Sequence, residues 1–342
     1  MLGRKVHLLG CALHFNELPL RGMVEHLDGG TVSGTQWSGP IGSLLGKSLI
    51  GMTVVKFNPI VTDMDEISDE VAGDLSTDQS IFLSYIKAVS SGQLDDNIAC
   101  RQVGPLCHAR WLTCAIRILS LYCRTQAPSD VLVILVTFIQ LVYGKYWFKY
   151  KKQSNFIPGP QILLEYIEDC KKVDSMFPGR GIWDQNKKVI QRNAFCLYGE
   201  NFLASLLYST DPEHRDKAVT LILAIRDKGN VEITPVRVPE INFDAETWDQ
   251  LVDTESFLTD SHSPPCLKTL SNDDLEAMRI FPGIPPDFPI HSQSVERAVK
   301  LTTAAVQKAY SWDQQHSIIL ATMKSRRTRK RFRSKKHYKI IE

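Results

Sequence analysis

The sequence predicts a mainly α-helical protein, and two observations carry that prediction. Apolar residues recur at helical spacing in one segment after another between residues 77 and 228. Before residue 230, residues 52–60 (MTVVKFNPI) are the one segment with enough β-branched side chains to predict a strand. Proline-dense connections at 230–270 and 282–289 then separate the helical block from the C-terminal region.

Each helix has its own signal. Residues 4–28 carry an apolar face that ends at Asp28-Gly29-Gly30, with a bend expected at Pro19. Residues 61–76 are acidic and are predicted as a loop. Ser129 or Asp130 is expected to cap one helix, and Asp211-Pro212 to begin another. The predicted helices span 77–91, 109–123, 130–147, 161–173, 198–208 and 212–228, with short helices near Trp248 and after Ser271. A last helix follows Ser294, with apolar residues at 295, 298, 299, 305, 306 and 309.

Charge is distributed unevenly along the chain. The 342 residues include 40 Lys and Arg and 38 Asp and Glu. Residues 324–339 hold ten of the bases, and Glu342 is the one acid after Met323, so residues 1–323 carry 30 bases and 37 acids, a net charge of −7. The sequence therefore predicts an acidic body with a strongly basic tail at 324–342.

The eight cysteines are scattered without the repeated spacing of a disulfide framework, which predicts an intracellular protein with reduced thiols. The longest apolar run, residues 131–143, contains 13 residues, whereas a bilayer span needs about 20. We therefore expect a buried helix there and no membrane partner.

Three local patterns could indicate a functional site, and for each a structural interpretation is favoured. Cys11 and His14 form a C-x-x-H pair, and Cys107-His108 form a second pair, but their separation favours helix packing over a zinc site. The segment GPIGSLLGKS has three residues between Gly42 and Gly46 where a phosphate-binding loop needs four, which excludes that motif. Trp111, preceded by Arg110, is favoured as a core tryptophan beside a solvated arginine.

The order of these motifs resembles the hAT-type transposases. CALH comes first, an Arg-Trp pair then heads a long helical block, and S-x-S-V-E-R follows a proline-rich connection. NELPLR, SGPIG, HARWL, QRNAF and a late VERxVK make most of residues 7–339 similar to transposon-derived invertebrate proteins. The matching residues are Cys11 and His14 for the family's C-x-x-H motif, Arg110 and Trp111 for its T-R-W motif, and Ser294, Glu296 and Arg297 for its S-x-x-E-R signature, with one residue between Ser294 and Glu296 where the signature has two.

The resemblance implies an RNase-H-like α/β remnant, incomplete in this chain and interrupted by a large all-helical insertion. We assign residues 1–60 to the remnant, as a helix plus one strand, and 61–285 to the insertion with its proline-rich linker at 230–270. Residues 286–323 then hold the returning C-terminal helices, and 324–342 form the basic tail. Because the other strands of such a sheet are missing, we expect an open strand edge near Val54 and a partly exposed apolar face around residues 1–60.

The same resemblance assigns Glu296 as the third of three metal-binding acids. In the family the two aspartates precede the C-x-x-H helix, but the ten residues before Cys11 contain no Asp or Glu. A lone carboxylate cannot assemble a two-metal site, so Glu296 is interpreted as a vestigial catalytic residue, and no cofactor is predicted. Mg or Mn would be expected only with a complete site. The simpler interpretation is that Glu296 complements the helix dipole. Leu112 and Ala298 also depart from the family pattern and indicate a divergent branch.

These features predict a nuclear, transposon-derived protein without catalytic activity that binds DNA or associates with itself as a homo-oligomer. The alternative is a helical protein-interaction module whose tail serves only to bind an import receptor. A solvated end without a partner is the simplest interpretation of the tail. The bases expected to contact phosphates are Lys324, Arg326, Arg327, Arg329, Lys330, Arg331, Arg333, Lys335 and Lys336.

Overall fold

A computed structural model describes most of the chain between residues 12 and 285. The described residues are 12–33, 36–47, 49, 51–73, 75–104, 106, 111–152, 156–228, 238–259 and 270–285, together with positions 314 and 317. Across these residues the protein is mainly helical, as the sequence predicts.

The N-terminal half contains a long first helix, a small hairpin and a series of helices. The elements are α1 Ala12–Leu27, β1 Thr31–Ser33, β2 Gln36–Trp37, α2 Gly42–Leu45, α3 Asp69–Gly73, α4 Thr77–Ser91, α5 Asp96–Ala99, α6 Leu112–Tyr122, α7 Asp130–Phe138, a π-helix at Ile139–Tyr143 and α8 Gly144–Lys152. Strands β1 and β2 pair antiparallel as an isolated two-stranded sheet. Short helices α3 and α5 were not predicted, and α3 forms inside the acidic segment expected to be a loop.

The second half continues as helices with two short 3₁₀ turns. The elements are α9 Gly159–Met176, α10 Ile182–Asn193, a 3₁₀ turn at Phe195–Leu197, α11 Gly199–Leu207, α12 Pro212–Asp227, a 3₁₀ turn at Trp248–Gln250, α13 Ser256–Thr259 and α14 Asn272–Ile280. Side-chain caps begin several helices as expected: Ser129, Asp211 and Ser271 each accept a hydrogen bond from a first-turn amide.

One continuous helix, Asp130–Lys152, runs through the core. Its 23 residues extend beyond the 13-residue apolar run, and the expectation of no membrane partner stays a prediction. By length and composition it is able to cross a membrane, although 83% of its most apolar window is buried inside the protein, as expected of a core helix. The π-turn in its middle exposes carbonyls to neighbouring side chains: Asn16 Nδ2 donates to Tyr143 O at 2.9 Å and Thr62 Oγ1 donates to Gln140 O at 2.7 Å.

The strand predicted at residues 52–60 is not formed. The segment is extended, but its polar backbone groups bond to helix ends instead of to another strand. Val55 N donates to Cys123 O at 3.0 Å, and Ile60 N donates to Val89 O at 3.0 Å. The last carbonyls of a helix have no partner within it, so they provide acceptors that a sheet would otherwise supply. The prediction of an open strand edge near Val54 is therefore wrong.

The apolar face of α1 is buried, which also corrects the expectation of an exposed apolar face for the described part of residues 1–60. Leu20, Met23 and Val24 are fully buried, and α1 packs against α10, α8 and the π-helix. The approach to α10 is close: a Cβ placed on Gly22 would lie 2.9 Å from Gln185 Nε2. Helix α1 and the later helices share one hydrophobic core. The domain boundary predicted at residue 60 stays a prediction.

The segment predicted as a linker is firmly packed where it is described. Ile241, Leu251, Val252 and Phe257 are buried among the helices. Gln191 Nε2 donates to Pro239 O at 2.9 Å, which fastens this segment to α10. Within residues 238–259, the proline-rich connection is therefore part of the body of the protein.

The last described helix, α14, is held by the buried Arg215 of α12. Its side chain is 4% exposed, and its guanidinium donates to five backbone carbonyls. Ser209 and Thr210 supply two of them, before α12, whereas Met278, Arg279 and Ile280 supply three at the end of α14. One side chain thus binds the start of α12 to the end of α14.

Candidate functional site

Two of the predicted site residues, His14 and Trp111, lie within the described part of the chain. The other predicted site residues lie outside the described residues: Cys11, Arg110, Glu296, Arg297, Lys324, Arg326, Arg327, Arg329, Lys330, Arg331, Arg333, Lys335 and Lys336. Cys107 and His108, considered above as possible zinc ligands, also lie outside them. The DNA-binding role predicted for the tail and the vestigial role predicted for Glu296 therefore stay predictions.

His14 lies in the first turn of α1 at the protein surface. Its side chain is 54% exposed, and its Nδ1 atom is 3.5 Å from Oε2 of Glu17, whose side chain is mostly buried. The hydrogen bond to Glu17 raises the pKa of His14, while partial burial opposes that change. The imidazole is thus an accessible titratable group held by a carboxylate on its own helix.

We expect the His14–Glu17 contact to stabilise the fold most at low pH. Because the folded pKa of His14 lies above the ordinary value of 6.5, the contribution is complete below that pH and is lost as pH rises through the folded pKa. The gain is small because the side chain is more than half exposed. Urea denaturation of the wild type and His14→Gln from about pH 5 to pH 8 should show a difference that shrinks as pH rises. A difference independent of pH would contradict this role.

Trp111 immediately precedes α6 and is 3% exposed. Its ring meets that of Trp37 edge to face, with centroids 5.8 Å apart at 69°. Trp37 ends the small hairpin that follows α1, so this pair joins the α1 end of the chain to the start of the helical block. The burial is what the packing interpretation of Trp111 predicts.

Backbone amides of the SGPIG segment, beside this tryptophan pair, already have a hydrogen-bond partner within the protein. The carboxylate of Asp28, just after α1, accepts hydrogen bonds from Ile41 N at 3.0 Å and Gly42 N at 2.6 Å. A phosphate-binding loop would direct such amides toward a ligand. Here the protein's own carboxylate fills that role, in agreement with the exclusion of a phosphate loop from its spacing.

A row of lysines lies along one side of α8. Lys145, Lys149 and Lys152 recur at helical spacing, so they share one side of the helix. Lys145 Nζ lies 2.8 Å from Asp169 Oδ2 and 3.0 Å from Asp63 Oδ2. This row was not predicted from the sequence.

Carboxylates neutralise each of these lysines. Lys149 pairs with Glu165 of α9, and Lys152 Nζ lies 3.7 Å from Asp65 Oδ2. Burial lowers the pKa of Lys145, but its hydrogen bonds to Asp169 and Asp63 outweigh burial and raise that pKa overall. The lysines are therefore paired within the protein, so the row provides little net attraction for phosphates.

The described cysteines and acids do not form a metal centre. Within the described residues, no group of three His, Cys, Asp or Glu side chains is placed to hold a metal ion. Cys114, Cys123 and Cys170 are buried, and burial raises the pKa of Cys123 to about 12. These thiols are protonated at neutral pH and serve as small apolar side chains.

No protein-family model matches the chain, and comparisons with curated proteins and with solved structures likewise give no match.

Proposed function

We propose that this chain is a transposon-derived nuclear protein that binds DNA through its basic tail and does not cut DNA. The N-terminal region, including α1, descends on this proposal from an RNase-H-like core interrupted by the helical block. An import receptor recognises the same tail, since both partners favour clustered Lys and Arg.

The observation that carries the proposal is the contrast in charge between body and tail. Ten bases lie within residues 324–339, whereas residues 1–323 have a net charge of −7. The lysine row on α8 is paired with carboxylates, so it supplies little net positive charge for phosphates. The tail is therefore the best source of the electrostatic attraction on which nonspecific DNA affinity depends.

The proposed lack of DNA cleavage is supported by the motif residues. Glu296 is the one acid of the family's three for which this sequence has a matching residue. Two-metal phosphoryl transfer needs several carboxylates to hold the ions about 4 Å apart. Incubating the purified protein with supercoiled plasmid and Mg²⁺ or Mn²⁺ tests this, and plasmid nicking that Glu296→Gln abolishes would refute the inactive assignment.

DNA binding through the tail is tested by neutralising matched pairs of lysines. Lys335→Gln with Lys336→Gln should weaken binding to a duplex at least tenfold, measured by fluorescence anisotropy at low salt. It should also reduce the dependence of log K on log salt, because each lost phosphate contact removes about 0.9 from that slope.

The control removes the same charge from the body. Lys187 and Lys188 of α10 are both exposed, so Lys187→Gln with Lys188→Gln should change the affinity far less. Equal losses from the two pairs would show that net charge, and not the tail, governs binding.

The alternative is a helical protein-interaction module whose tail acts only as an import signal. The mainly helical architecture and the neutralised lysine row favour it. Absence of DNA binding at low salt, together with loss of nuclear accumulation when 324–342 are deleted, would support this alternative over the first proposal.

A further inference from the structure

Three large apolar side chains at the end of α14 face solvent. Ile280, Phe281 and Ile284 are 68%, 75% and 93% exposed. We refer to these three residues as the C-terminal apolar patch. The other exposed large apolar side chains among the described residues, Met52, Val61 and Met176, lie on separate parts of the chain. Three exposed large apolar side chains within five residues are typical of an interaction surface.

The backbone beneath this patch is fixed. Arg215 binds the carbonyls of Met278, Arg279 and Ile280 at 2.9, 3.3 and 3.0 Å. Gly283 lies so close to Met278 that an added Cβ would be 3.0 Å from its Cε atom. The apolar side chains are thus presented to solvent from an anchored segment, as in a preformed docking surface.

We propose that residues 295–309 of the same chain dock on the C-terminal apolar patch as an amphipathic helix. Their apolar residues recur at helical spacing and need a surface to cover them. Ten residues, 285–294, separate Ile284 from Val295. Such a connection reaches up to about 33 Å, which is ample for the helix to fold back on α14.

Charge complementarity supports this occupant. Residues 272–280 contain Asp273, Asp274, Glu276 and Arg279, which gives a net charge of 1 − 3 = −2. Residues 295–309 contain Glu296, Arg297, Lys300 and Lys308, which gives 3 − 1 = +2. The acids of α14 are exposed and carry the sign of charge that attracts this segment.

The docking also gives Glu296 a defined setting. It ties the segment that carries Glu296 to α14 and, through Arg215, to α12. This arrangement does not depend on DNA, because it uses the apolar stripe and Arg297 and Lys300, and none of the tail bases.

Hydrogen–deuterium exchange of the full-length protein tests the docking. In the wild type, amides within 295–309 should be protected. In the triple variant Ile280→Ser, Phe281→Ser and Ile284→Ser they should exchange at least tenfold faster, whereas α12 keeps its protection. Val61→Ser is the matched control, because Val61 is as exposed as Ile280 but lies in a different segment. It should leave exchange in 295–309 unchanged.

A second variant keeps the test independent of the patch side chains. Val299→Ser with Val306→Ser changes the stripe itself and should produce the same loss of protection in 295–309. Unprotected amides there in the wild type, or protection that both variants retain, would overturn the proposal. If sedimentation velocity shows that the wild type is a dimer and the triple variant a monomer, a second copy covers the patch and the intramolecular docking is wrong.

Discussion

Replacing Arg215 by methionine is expected to lower the free energy of unfolding by about 3–5 kcal/mol. The guanidinium is buried and donates to five carbonyls that flank two helices. Methionine has a similar length but no hydrogen-bond donor. The five carbonyls therefore lose their partner, while the apolar side chain fills the space of the guanidinium. Chemical denaturation monitored by far-ultraviolet circular dichroism measures the change.

Two further variants test this role: one keeps the charge of residue 215, and the other makes the same substitution at an exposed arginine. Arg215→Lys keeps the charge but replaces a planar fork of donors by a single ammonium, so an intermediate loss is expected. Arg192 is exposed on α10, and Arg192→Met should change stability by no more than about 0.5 kcal/mol. If Arg215→Met were as mild as Arg192→Met, Arg215 would not hold α14 in place.

Helices with local signals could be predicted from the sequence. The helix predicted at residues 77–91 coincides with α4, which ends at Gly92 in a left-handed conformation. Asp211 and Pro212 start α12 as expected, because a cap and a proline at the first position act within one turn. In both cases the residues that define the helix end lie beside it in the chain.

Elements whose partners are distant in sequence could not be predicted. Residues 52–60 have a strand-like composition, yet their hydrogen-bond partners are the carbonyls of Val89 and Cys123 at helix ends. Amino-acid composition indicates that a segment is extended, but it does not identify the hydrogen-bond partners of its backbone. Helix α10 was also missed, because Gly181 begins it in a left-handed conformation without a side-chain cap.

The same limit applies to the candidate site. The packing of Trp111 was favoured from its place at the start of an apolar helix, and it is buried. The pairing of Lys145 with Asp63 joins residues 82 positions apart, which no local spacing reveals. As a result, the sequence located the basic tail but did not show that the lysines of α8 are neutralised.

Replacing Gly39 by alanine is expected to cost about 2–4 kcal/mol of unfolding free energy. A Cβ at this position would lie 1.6 Å from the backbone oxygen of Asp28 and 2.3 Å from its Oδ2 atom. Neither atom can move freely, because Asp28 follows α1 directly and its carboxylate binds the amides of Ile41 and Gly42. The loop must therefore shift away from α1.

The consequence of that shift reaches the tryptophan pair, because Gly42 also packs against the Cβ of Trp37, whose ring contacts Trp111. Gly39→Ala should lower the melting temperature and also change the near-ultraviolet circular dichroism of the tryptophans. Gly46→Ala is the control in the same segment: Gly46 has a φ of −74°, and an added Cβ there would meet no atom within 4 Å. Since alanine restricts the unfolded chain, that variant should be neutral or slightly more stable. Equal destabilisation by the two substitutions would mean that the Gly39–Asp28 approach does not hold this loop on α1.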